Sequence, residues 1–171
     1  YEYDYTQKLI ILYGISSGMA YLHSHNILHR DLNPNNILID GDFHPKISGF
    51  GLSKITDFLS ASMNRNSQEG LKDTPIYMAP EVFSDEKYSK ASDVYAFAYI
   101  MYEIISSEKP YEHFDYFQIM SKINEGYRPT ISDVIPPAYR ELIKRCWSER
   151  PEDRPSFDQI VDEFKNNHDF I

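Results

Sequence analysis

The chain has 171 residues and carries 17 Lys+Arg against 26 Asp+Glu, a formal net charge of −9. That length suits one domain, and 42% apolar with 15% aromatic residues supplies a packed core, which excludes a disordered chain. The acidic surplus sets up no domain-wide positive field, so neither nucleic acid nor an anionic membrane is an expected partner.

In chain order, helical spacing starts at Thr6 and runs through Leu9, Leu12, Tyr13, Ser16, Met19, Ala20 and Leu22. This predicts a long buried helix with Thr6 as N-cap and Asn26 as its stop. Short β-type pieces follow at Ile27 and Leu28, at Ile37, Leu38 and Ile39, and at Lys46 and Ile47, with hairpin-turn chemistry in Asp40-Gly41-Asp42. Residues 53–66 are rich in Ser, Asn and Thr, and no periodicity is sustained up to Pro75, so this stretch reads as a long surface loop. Ser92 and Asp93 open a helix over 94–106 that is apolar all round and expected at the centre of the fold. Three more helices are predicted over 116–124, 137–147 and 157–166, with prolines at 129, 136, 137, 151 and 155 punctuating the gaps. The predicted fold class is mostly α with a small β ribbon.

The longest apolar run, 94–105, is twelve residues and contains Glu103, too short to span a bilayer. The N-terminus, YEYDYTQK, lacks the positive and then apolar character of a secretory signal, and a cytoplasmic or nuclear location is the default expectation, with cytoplasmic preferred. A lone cysteine, Cys146, forms no internal disulfide and reads as a small buried hydrophobe beside Trp147.

The residues that carry chemistry are His29-Arg30-Asp31-Leu32-Asn33-Pro34-Asn35-Asn36, which fit H-R-D-L-x-x-x-N at every fixed position. Five fixed letters match by chance on the order of 5 × 10⁻⁵ times in a chain of this length. Through this motif the chain resembles the C-terminal lobe of a eukaryotic protein kinase. The resemblance continues in order through Lys46 to Lys54, Thr74-Pro75-Ile76-Tyr77-Met78-Ala79-Pro80-Glu81, Ser92-Asp93-Val94-Tyr95, Cys146-Trp147 and Arg154-Pro155-Ser156, the last two similar to the tyrosine-kinase-like group. It covers essentially all of 1–171, with the N-terminal lobe absent and 49–81 as the activation segment.

What the resemblance implies follows the family template for phosphoryl transfer. Asp31 stands where an aspartate accepts the substrate hydroxyl proton, and Asn36 where an asparagine holds one of two magnesium ions. ATP and Mg²⁺ are the implied cofactors, and a protein substrate or docking partner and the missing N-lobe are the implied partners. Leu38 matches the residue under the adenine ring; an ordinary strand core residue is the bland alternative. Thr74 resembles the peptide-binding threonine of serine/threonine kinases, with Asp73 where that group has Gly. Arg30 is the expected partner for a phosphate on Thr56, Ser60, Ser62 or Ser67. Glu81 should pair with Arg154, Asp93 should bind the backbone of the 29–36 loop, and His29 with Phe50 should join the hydrophobic spine.

Two positions depart from the pattern. Asn33 replaces the lysine that would balance phosphate charge. More seriously, Ser48-Gly49-Phe50-Gly51 carries Gly49 where the family has the magnesium-binding aspartate. Asp40 and Asp42 are read as turn residues and not as substitutes. The chain is therefore expected to be inactive by itself and to serve as a pseudokinase-type signalling or interaction module. The rival expectation is an active serine/threonine kinase once the chain is joined to its N-lobe.

Overall fold

Residues 3–49, 75–85 and 87–171 are described by a computed structural model, and most of them are helical. The long helix α1 spans Tyr5–Ser24, two residues earlier at its start than the pattern suggested. Asp4, not Thr6, is the N-cap. Its carboxylate accepts from the Gln7 amide while the Gln7 side chain accepts from the Asp4 amide, a reciprocal capping box. After α1 the chain reverses through Asn26 at φ 57. Ile27 and Leu28 then run as irregular backbone, and among the described residues only 37–39 and 45–47 pair as strands.

The β ribbon consists of β1 (Ile37–Ile39) and β2 (Pro45–Ile47), antiparallel with Ile37 opposite Ile47 and Leu38 opposite Lys46. The loop between them is longer than the expected tripeptide, spanning 40–44 with Phe43 at φ 64. Asp40 organises it: Oδ1 accepts from the amides of Asp42 at 3.1 Å and His44 at 3.0 Å. The His44 amide is the main reason that the Asp40 carboxyl lies below its ordinary value. Asp40 is a turn residue, as expected from the sequence.

Two glycines let the ribbon lie directly on α1. A Cβ at Gly14 would stand 2.5 Å from the Pro45 ring, and one at Gly18 would stand 2.8 Å from the Ile47 side chain. Helix and strand therefore meet backbone to side chain, with no room for even an alanine methyl at 14.

Downstream come α2 (Pro80–Asp85), which sequence periodicity was too short to reveal, then α3 (Lys90–Ser106), α4 (Tyr116–Asn124), α5 (Pro137–Cys146) and α6 (Phe157–Asn166). The central helix starts four residues before 94, capped by Ser89. Its early turn is polar because Ser92 caps back and Asp93 points to the loop above, so apolar periodicity alone places the start too late. Of the 17 residues of α3, 12 are buried, which makes it the core of the fold. α1 packs mainly on α6, and α5 packs on α3. α5 ends at Cys146, with Trp147 as its C-cap; the thiol is fully buried and burial pushes its pKa up, so it is an inert packing group.

Candidate functional site

Asp93 anchors the site from below. Its Oδ2 accepts from the His29 amide at 2.9 Å and its Oδ1 from the Arg30 amide at 2.9 Å, and Oδ2 also meets His23 Nε2 at 2.8 Å. These bonds hold Arg30 at φ 68, a left-handed conformation that costs a non-glycine residue roughly 1 kcal/mol or more. The strain turns the chain sharply and sets Asp31 on the upper side of the loop. His29 braces the turn: its Nδ1 accepts from the Asp31 amide at 3.2 Å and its Nε2 meets the Ser48 carbonyl at 2.8 Å. An amide can only donate and a carbonyl only accept, so these two partners assign the imidazole proton to Nε2. His29 is buried, in keeping with a structural histidine.

Two carboxamides fix the Asp31 side chain. Asn33 Nδ2 donates to Asp31 Oδ1 at 3.1 Å and to the Asp31 carbonyl at 2.9 Å. Asn36 Nδ2 donates to Asp31 Oδ2 at 2.7 Å and to the same carbonyl at 2.7 Å. Asn33 is also the N-cap of the 3₁₀ turn Pro34–Asn36, where its Oδ1 accepts from the Asn35 amide at 2.9 Å. Asn33 thus takes up a structural task in place of the charge a lysine would bring.

The ribbon register brings Gly49 to this cluster. Because Ile37 faces Ile47, Asn36 lies opposite Ser48, and the Ser48 amide donates to the Asn36 carbonyl at 2.8 Å. Gly49 follows at φ +77, and a Cβ there would stand 2.5 Å from Asn36 Oδ1 and 2.6 Å from its Cγ. Magnesium takes oxygen ligands in near-octahedral geometry. The described residues offer the Asp31 carboxylate, already engaged by two amides, and the Asn36 amide oxygen, while residue 49 offers no side chain. No group of three or more His, Cys, Asp or Glu side chains suited to a metal occurs among the described residues. This donor set does not fit a bound magnesium ion.

The other expected residues fall as follows. Arg30 sits beside Asp31, and its buried Nε has no hydrogen-bond partner among the described residues. Leu38 is 61% exposed on β1, which rules out the alternative of an ordinary strand core residue. Thr74, Phe50, Thr56, Ser60, Ser62, Ser67 and Asp73 lie outside the described residues. Glu81 and Arg154 pair as expected, with Nη1 to Oε1 at 2.7 Å and Nη2 to Oε2 at 2.9 Å. The remaining Arg154 donors go to the carbonyls of Ser148, Ala91 and Glu149, so all five are used.

Three participants escaped sequence reasoning. His23 binds Asp93 from 70 residues away, and no local pattern marks it. Tyr88 is half-buried, its hydroxyl pKa raised by burial and then by the Asp31 charge, against the opposing effect of Arg30. Tyr77 donates a short hydrogen bond to Glu103 Oε1, tying the segment before α2 to the core helix. Burial raises the Glu103 carboxyl above its ordinary 4.5 in spite of this bond.

The chain matches the family model "Protein tyrosine and serine/threonine kinase" over residues 2–164. It is 44% identical, over 154 residues, to a Dictyostelium discoideum protein described as a probable serine/threonine-protein kinase; this covers 89% of the chain and 10% of that relative. It is 40% identical over 161 residues to a probable LIM domain-containing serine/threonine-protein kinase of the same organism, covering 94% of the chain and 24% of the relative. Similarity to the Dictyostelium dual specificity protein kinase shkA is 38% over 152 residues, covering 86% of the chain and 28% of the relative. The chain spans less than a third of the length of each of these relatives.

Proposed function

We propose that this chain, which belongs to the protein tyrosine and serine/threonine kinase family, is a C-terminal lobe that has lost phosphotransfer competence and works as a pseudokinase-type signalling or interaction module. In this reading 1–171 is one kinase-like domain, 49–81 is its activation segment, and it acts in the cytoplasm on a protein partner. The observation that carries the reading is Gly49: the position of the family's metal carboxylate has no side chain, and its neighbour Asn36 is turned onto Asp31. Loss of one preorganised electrostatic group typically costs roughly 2.7–4 kcal/mol of transition-state stabilisation, about 10²–10³ in rate.

A second reading is an active serine/threonine kinase once an N-terminal lobe completes the cleft. It is favoured by the retained Asp31, pinned at both carboxylate oxygens, and by the similarity to relatives described as probable serine/threonine-protein kinases. Under it Asp31 receives the proton of a substrate hydroxyl, Thr74 faces the peptide, and Arg30 takes a phosphate on the activation segment. ATP would bring the transferable phosphoryl group, and Leu38 would lie beneath its base. No helix among the described residues is long and apolar enough to cross a membrane.

The test is transfer of radiolabelled phosphate from ATP to Ser or Thr peptides by the full-length protein in Mg²⁺ or Mn²⁺. No transfer above background is expected. Transfer that disappears in Asp31→Ala would establish the second reading.

A further inference from the structure

The contact between Gly49 and Asn36 has a chemical consequence beyond a missing ligand. Asn36 fills the volume a side chain at 49 would need: all three nearest atoms to a Cβ at Gly49 belong to its carboxamide, at 2.5, 2.6 and 2.8 Å. These distances lie below any ordinary carbon contact, so something must shift. Asn36 has little freedom to do so. Its Nδ2 makes two 2.7 Å bonds to Asp31, and its backbone carbonyl is held by the Ser48 amide at 2.8 Å and the Ser48 hydroxyl at 3.2 Å.

We propose that Asn36 is a positioning residue for Asp31 and not a metal ligand, and that Gly49 and Asn36 form a matched pair that holds the loop in a metal-independent state. An aspartate restored at 49 alone then does not rebuild a metal site; it collides with the clasp that orders Asp31. This rests on the reading above that the magnesium site is lost, and deepens it: the loss involves two residues, and reversing one is not enough.

Gly126 provides an internal control. It has φ +78, almost the same as Gly49, but its Cβ would meet only the end of the exposed, flexible Glu149 side chain, at 3.0 Å. Alanine therefore pays the left-handed backbone penalty at both sites and the rigid contact only at 49.

The experiment measures urea unfolding of the 171-residue chain together with Mn²⁺-induced broadening of the Asn36 side-chain amide signals. Gly49→Ala is expected to raise the unfolding constant at least tenfold more than Gly126→Ala, and the excess should vanish in an Asn36→Ala background. Mn²⁺ should cause no saturable broadening at Asn36 in the natural chain or in Gly49→Asp. Equal costs at the two glycines, an excess that survives Asn36→Ala, or saturable Mn²⁺ broadening at Asn36 would each overturn the proposal. If Gly49 variants do not fold, the Mn²⁺ measurement on the natural chain still decides. Phosphate transfer by the full-length protein would refute the functional reading while leaving the 49–36 coupling to be read separately.

Discussion

The anchor around Arg154 and Asp93 and the edge around Asp31 are built from similar materials, carboxylates ringed by donors, yet they differ in completeness. Below, Arg154 has a side chain of 0% exposure and uses every donor on Glu81 and three carbonyls, and Asp93 gathers His23, His29 and Arg30. Above, Asp31 is pinned by two asparagines, and the neighbouring position at 49 is bare. The buried charges of the anchor are thus fully partnered, while the part-buried Asp31 cluster borders a position that offers no side chain.

The largest expected effect tests the anchor. Glu81→Ala strands a fully buried guanidinium, and a loss of about 3–5 kcal/mol in urea unfolding is expected. The glycine seam under the ribbon should respond less: Gly14→Ala drives a methyl against Pro45 and should cost about 1–3 kcal/mol. At the Asp31 edge, Asn33→Ala removes one part-buried carboxamide and should cost only about 1 kcal/mol by the same measurement. If Asn33→Ala proved as costly as Glu81→Ala, the distinction between anchor and edge would collapse.

The smallest effect is one of pH. Burial raises the Glu103 carboxyl above its unfolded value, so the native chain holds that proton more tightly. Its contribution is fully present below about pH 4.5 and is lost as pH rises through the raised value. Glu103→Gln should therefore flatten the stability profile in that window and gain on the natural chain toward pH 7. A parallel profile for the two proteins would show that burial of Glu103 leaves no linkage.

Legibility differed between the two regions. The motif at 29–36 pointed to Arg30, Asp31, Asn33 and Asn36, and the fold does gather them. Helices over 116–124 and 157–166 match their predicted limits because strong amphipathic patterns meet side-chain caps at Asp115 and Ser156. Thr6 failed as a cap because Asp4 offered a carboxylate with Gln7 three residues on, a pairing that apolar periodicity ignores. Leu38, matched by resemblance to the residue under the adenine ring, stands 61% exposed on the ribbon, so only its alternative as an ordinary strand core residue falls.

By itself the sequence determined the class of the fold, the order of its five longer helices, and the absence of a carboxylate at 49, since these follow from residue types and local spacing. Only the tertiary structure decided what that absence means. Hairpin register sets Asn36 opposite Ser48, the left-handed turn at Gly49 closes the space between them, and Asp93 receives His23 across 70 residues. Such contacts depend on where separate segments meet in space, and spacing along one chain carries no record of that.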